Sequence, residues 1–234
     1  MGMGTLLAMS VPRPEYPRPQ FVRSEWLNLN GEWQFEADYG DSGLERGLKD
    51  RELTGKITVP FCPESQLSGL EHVDFLNAVW YRREVAVPAE WAGKQVVLHF
   101  SACDYDTTVW ADGVEVARHR GGFTPFSALL GDCGGKTVTL VIRAQDKHGT
   151  PQARGKQANK FAPYACFYTR TTGIWQTVWM EPVAEVAMKR PRITPDLANS
   201  RFEVVVPITA HGPGPNKSGI TLTATLTDEA GTVA

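Results

Sequence analysis

Hydrophobic positions recur with a period of two over most of this chain. In KTVTLVIRA, Val138, Leu140, Ile142 and Ala144 alternate with Thr139, Val141 and Arg143; in GEWQFEAD, Trp33, Phe35 and Ala37 alternate with Glu32, Gln34 and Glu36. Successive side chains of a strand point to opposite faces, so the pattern predicts strands that lay one face on a core. No stretch of similar length sustains a helical period. TTVWADGVEVARH predicts a hairpin, because Asp112-Gly113 supplies the positive φ angles of a two-residue type I′ turn between two β-rich runs. Short strands parted by Gly, Pro and Asp turns predict an all-β fold, a β-sandwich of jelly-roll (galactose-binding-like) type.

The pattern changes near Pro182. Beyond it, Phe202, Val204, Val206 and Ile208 read as one strand and Ile220, Leu222, Ala224 and Leu226 as another, separated by the Gly/Pro-rich AHGPGPNKSG. These resemble the opening strands of an immunoglobulin-like sandwich, which takes about seven strands and ~100 residues. The remaining chain is about half that length. The expected organisation is a tail over 1–19, the jelly roll over 20–183 and a partial immunoglobulin-like β-sandwich over 184–234. Half a sandwich exposes a sheet face and unpaired edges, so the last segment is expected to be loosely held or to pair with another copy in a homo-oligomer.

TTGIWQTVWMEP places two tryptophans four residues apart. On a strand beginning at Ile174, Trp175, Thr177 and Trp179 share one face while Ile174, Gln176, Val178 and Met180 share the other. A strand apolar on both faces is covered on both. The two tryptophans therefore read as packing rather than as an open platform for a flat ligand.

Composition narrows the classes. The formal charge of -2 and pI near 6.2 leave no broad basic field for nucleic acid or an anionic membrane surface. Apolar runs such as VVLHF fall far short of the ~20 residues that cross a bilayer. Neither nucleic acid nor membrane is expected as a partner. MGMGTLLAMS lacks the basic n-region of a signal peptide. Cys62, Cys103, Cys133 and Cys166 stand more than twenty residues apart, without the spacing of a zinc knuckle or a redox CxxC. They are expected to be reduced and mostly buried, which suits a cytoplasmic location, with a periplasmic or secreted one left open. No cofactor and no metal site is expected. Asn216 heads a glycosylation sequon that carries little weight in such a chain.

Six segments follow one another in order: LNGEWQF, VPFCPES, VWYRREVAVP, DYDTTVWADGVEVARHRGGFTPF, VTLVIRAQD and YTRTTGIWQTVWMEPV. The set, covering most of residues 20–183, resembles the N-terminal sugar-binding domain of glycoside hydrolase family 2, which includes β-galactosidases, β-glucuronidases and β-mannosidases. The resemblance implies a jelly roll, then an immunoglobulin-like domain, then a (β/α)8 barrel carrying two catalytic glutamates. Such a barrel takes ~200 residues or more, and the chain after Pro182 reads as strands. No catalytic residue is therefore expected here; the missing C-terminal barrel is the implied partner, and the chain alone is expected to be inactive.

The resemblance also assigns site residues. In the β-galactosidases an aspartate just after the strand matching VTLVIRA hydrogen-bonds substrate hydroxyls, and Asp146 matches that place. A carboxylate accepts two hydroxyls in fixed geometry, and strands hold the loop that carries it. The alternative is a solvated turn aspartate beside Lys147 in QDKHG. The irregular loop from Lys147 to Tyr168 is long enough to be functional, and the resemblance offers Arg154, Gln157 and Tyr168 as walls of the sugar site, with Arg170 bracing the loop. Phe123 and Phe126 are expected to plug the sandwich, and Glu64 either to face the ligand or to cap a turn. Asp104 and Asp106, two apart, would share one face of a strand, but backbone hydrogen bonding in a loop is favoured over catalysis.

Two functions from different classes follow. The chain reads as the N-terminal portion of a retaining β-glycosidase (β-galactosidase-like) acting on O-glycosyl bonds of a terminal β-linked sugar in carbohydrate metabolism. The alternative is a stand-alone carbohydrate-binding, lectin-like module, which would show exposed aromatics and bind sugar without a barrel. A purely structural scaffold reads the same in sequence as the first.

Overall fold

The computed structural model describes residues 11–211 and 220–232. The chain divides into two compact units, one ending at Val183 and the other beginning at Ala184.

The first unit contains β1 (Leu27–Asn28), β2 (Gly31–Asp38), β3 (Gly55–Val59), β4 (Ala78–Ala86), β5 (Gln95–Phe100) and β6 (Cys103–Asp104). It continues with β7 (Asp106–Ala111), β8 (Val114–Arg120), β9 (Phe126–Gly131), β10 (Thr137–Gln145), β11 (Gly173–Ile174) and β12 (Val178–Val183). A four-stranded sheet runs β1-β12-β5-β9, a six-stranded sheet runs β3-β2-β4-β10-β7-β8, and β6 pairs with β11 in a short ladder. These strands pair antiparallel with one another.

The alternation in the sequence decides what lies between the sheets. Trp33 and Phe35 of β2, Val79 and Tyr81 of β4, and Val138, Leu140, Ile142 and Ala144 of β10 meet Leu98 and Phe100 of β5 and Met180 of β12 in one core. The opposite face of the six-stranded sheet has its own cover. There Trp80, Trp110 and Val141 pack with Leu48 and Leu53 from the segment after β2, and the two indoles stack at 5.7 Å. Asp38 holds that segment by accepting the Ser42 and Gly43 N–H groups and the Trp80 indole N–H. The β7–β8 hairpin turns at Asp112 (φ 48°) and Gly113 (φ 80°), as the sequence predicts.

The structure corrects the reading of TTGIWQTVWMEP. The chain leaves the β6–β11 ladder after Ile174 and joins β5 only at Val178, so Trp175 and Trp179 do not share one strand. Gly173 (φ 73°) makes the departure possible, because a Cβ there would lie 2.3 Å from the Tyr81 hydroxyl. Trp179 is buried and stacks on His99 at 4.8 Å. Trp175 turns the other way and donates its indole N–H to the Gly122 carbonyl at 2.8 Å.

Other expectations also change. Phe126 stacks between Phe100 and His119, but Phe123 is half exposed, because it sits at the tip of the β8–β9 connection rather than between the sheets. Asp104 is fully buried at the end of β6 while Asp106 opens β7 beside Arg120, so the two carboxylates do not share a face. Of the four free thiols, Cys103 and Cys133 are buried, Cys62 is half-buried and Cys166 is exposed. The N-terminal segment is anchored from Pro12 onward: Pro12 and Arg13 carbonyls accept from Asn30 and Asn28, and Tyr16 and Arg18 bond to buried Glu181.

In the second unit, β13 (Val186–Met188), β14 (Arg192–Asp196), β15 (Arg201–Val205), β16 (Ile208–Ala210), β17 (Thr227–Asp228) and β18 (Gly231–Thr232) form two-stranded ladders. The strand predicted through Phe202 to Ile208 is broken at Val206-Pro207, where proline has no N–H to give a ladder. The strand predicted from Ile220 to Leu226 is not formed. Ile193, Phe202, Val204 and Ile208 are exposed. Asn216 lies outside the described residues.

Candidate functional site

Asp146 follows directly on β10, the strand held between β4 and β7 in the six-stranded sheet. Its N–H is fixed by the Asn77 carbonyl at 3.0 Å. The side chain is 3% exposed, which excludes the solvated-turn reading. Gln152 donates its amide to Oδ1, Arg154 Nη1 stands 3.7 Å from the same oxygen, and the Thr172 hydroxyl is 3.4 Å from Oδ2. That hydroxyl donates to Glu64 at 2.6 Å, and Thr172 N–H donates to the other Glu64 oxygen at 3.2 Å. Glu64 is thus a buried partner of the segment before β11 rather than a simple turn cap.

Asp104 completes the cluster. Gln157 donates to its Oδ2 at 2.7 Å, while Oδ1 is buried with no hydrogen-bond partner among the described residues. Gly122 backs the carboxylate so closely that a Cβ there would come within 2.5 Å of it.

The loop from Lys147 to Tyr168 is irregular but built. Gln157 accepts the Thr171 N–H at 2.9 Å, Ala158 N–H bonds to the Tyr168 carbonyl at 2.7 Å, and Tyr168 N–H bonds to the Lys156 carbonyl at 2.9 Å. Arg154 also holds the Lys147 carbonyl at 2.9 Å. Arg170 braces the loop as expected: its guanidinium donates to the carbonyls of Ala158, Lys160 and Val73 and lies over the Phe75 ring at 4.1 Å. Asp146 and Arg154 are therefore brought together. Gln157 is buried and spent on Asp104 and Thr171, and Tyr168 stands half exposed with its hydroxyl accepting from Lys156 N–H.

Three buried carboxyls, Asp104, Asp146 and Glu64, stand in this cluster. Burial, then the charge of Asp146, then that of Glu64, push the Asp104 carboxyl up to about 7. Burial likewise raises Glu64 and Asp146, the latter against the pull of Arg154 and its hydrogen bonds. Burial and the neighbouring Glu64 push the Cys62 thiol up to about 12, so it is no nucleophile. Among the described residues no group of three or more His, Cys, Asp or Glu side chains is placed to hold a metal ion. The acceptor that the cluster leaves without a hydrogen-bond partner among the described residues is Asp104 Oδ1.

The chain is 33% identical over 117 residues to a β-glucuronidase of Paenibacillus borealis, covering 48% of this chain and 19% of that protein. It is 39% identical over 124 residues to the β-glucuronidase of Sus scrofa, covering 47% and 19%. Over about half its length, the chain is similar in sequence to β-glucuronidases. It spans about a fifth of the length of the curated relatives it matches. No family model matches the chain. The fold agrees: a Ruminococcus gnavus β-glucuronidase in complex with D-glucuronic acid superposes with a TM-score of 0.61 at 22% identity, over 82% of this chain and 36% of that one. The same enzyme in complex with D-glucaro 1,5-lactone gives 0.60 at 21%, over 80% and 35%.

Sequence reasoning missed Thr172 and Gln152 as partners of the cluster. The doubled threonine of RTTGIW, polar residues set directly before a buried strand, was the signal that could have found Thr172.

Proposed function

We propose that this chain is the N-terminal portion of a retaining β-glycosidase, and that terminal β-glucuronides, the class its relatives' names indicate, are its substrates. Asp146 accepts sugar hydroxyls, Arg154 and Gln152 hold its carboxylate, and the braced loop to Tyr168 walls the site. The pair of catalytic carboxylates such hydrolysis requires lies in another part of the protein. The observation that carries this reading is the burial of Asp146 between Arg154 and Thr172 at the end of a central strand, in a chain homologous to β-glucuronidases. The complete protein that contains this chain is expected to hydrolyse 4-nitrophenyl β-D-glucuronide faster than the matching galactoside, with the β-anomer of glucuronic acid formed first by NMR. The isolated chain is expected to hydrolyse neither. A complete protein inert on both, or one releasing the α-anomer first, would sink the proposal.

A further inference from the structure

A concavity of about 580 Å³ opens in the first unit and shares no lining residue with the Asp146 cluster. Trp175, Phe61 and Tyr16 give it aromatic walls, and Arg13, Glu15 and Gln176 line it with polar groups. The walls are fixed before any ligand arrives. Trp175 is pinned by its bond to the Gly122 carbonyl at 2.8 Å and by Phe123 edge-on at 6.1 Å. Tyr16 is pinned by its hydroxyl on Glu181 at 2.8 Å and by Trp26 at 5.2 Å. The Arg13 backbone is held by Asn28, yet neither Arg13 nor Glu15 forms an ion pair among the described residues.

The charges select the ligand. One guanidinium and one carboxylate in the same lining offer no net charge to a phosphate or other anion. A neutral polyol can donate to Glu15 and accept from Arg13, while the C–H face of its ring packs on an indole. Pre-ordered aromatic walls lower the entropy lost on binding. We propose that this groove binds a neutral saccharide unit, independently of the role assigned to Asp146.

The test is a titration of the 234-residue chain, with nitrogen-15 in its tryptophan indoles, against cellobiose, lactose, mannobiose and D-glucuronate. Trp175→Phe assigns the reporting resonance. At least one neutral disaccharide is expected to move the Trp175 signal saturably, with a Kd of roughly millimolar order. Replacing Arg13 and Glu15 together by Gln, both on exposed side chains, is expected to weaken that binding about tenfold. Asp146→Asn is expected to leave it unchanged. The proposal is overturned by a flat titration with all three disaccharides, by a response that survives the double Gln variant or is lost in Asp146→Asn, or by glucuronate binding more tightly than every neutral sugar.

Discussion

Gln157 donates to the Asp104 carboxylate at 2.7 Å and accepts the Thr171 N–H at 2.9 Å, so one amide ties the loop after β10 to the ends of β6 and β11. The other Asp104 oxygen is buried without a partner among the described residues. A carboxylate left half-satisfied in the interior is costly when charged.

Asp104 therefore sets a pH dependence. Its folded-state value of about 7 lies above the ordinary 3.8, so the folded protein holds an extra proton between those values. Its contribution is fully present below pH 3.8 and is lost as pH rises through about 7. Asp104→Asn, which keeps an acceptor for Gln157, is expected to raise stability at pH 8 by at least about 1 kcal/mol and to flatten the fall between pH 4 and 8. Glu64 and Asp146, both raised by burial, contribute to the fall that remains. Urea unfolding at a series of pH values reads both effects; an unchanged slope in the variant contradicts the assignment.

Glu181 acts in the opposite sense. Burial works to raise its carboxyl, but the imidazole of His99, its Nε2 3.0 Å away, the charge of Arg18 and the Tyr16 hydroxyl outweigh it and hold the group at about 2. Burial lowers the His99 imidazole against the pull of Glu181, and Arg18 and Arg23 bring their charges to within 2.6 and 3.3 Å of the same carboxylate oxygen. The stability Glu181 contributes is present above its ordinary 4.5 and is lost as pH falls toward about 2. Glu181→Gln is expected to cost roughly 3 kcal/mol at pH 7. It should also increase proteolysis of the N-terminal segment around Tyr16 and Arg18, and a resistant segment would count against this anchor.

Arg170 is the mechanical brace of the loop. Its three carbonyl partners have no replacement, so Arg170→Ala is expected to destabilise by roughly 3 kcal/mol. Hydrogen exchange should quicken first between residues 147 and 168. Uniform exchange across the first unit would mean that the bracing is not local.

The alternation of β2, β7, β8 and β10 was legible because a period of two needs only local information, and that period alone puts Trp33, Leu140 and Ile142 on core-facing positions. The motif order singled out Asp146 as a position at the end of β10, and the place of Arg170 at the start of the next strand suggested its bracing role. The partners were not: Glu64 meets Thr172, and Asp104 meets Gln157, across long stretches of chain that only the folded sheets bring together. The split at Trp175 escaped for a related reason. Ile174 and Val178 are both apolar strand residues, and nothing local says that they belong to different ladders. Past Val183 the alternation overstated the strands, because apolar residues such as Phe202 and Ile220 are exposed, and no core cluster among the described residues includes them.

The most direct test concerns Asp146, through kcat/KM on 4-nitrophenyl β-D-glucuronide for the complete protein and its Asp146→Asn variant. Loss of a charged acceptor to sugar hydroxyls is expected to lower kcat/KM at least about tenfold, with thermal stability unchanged or raised, since the buried charge is removed. Equal kcat/KM in the two proteins would contradict the claim that this chain touches the substrate.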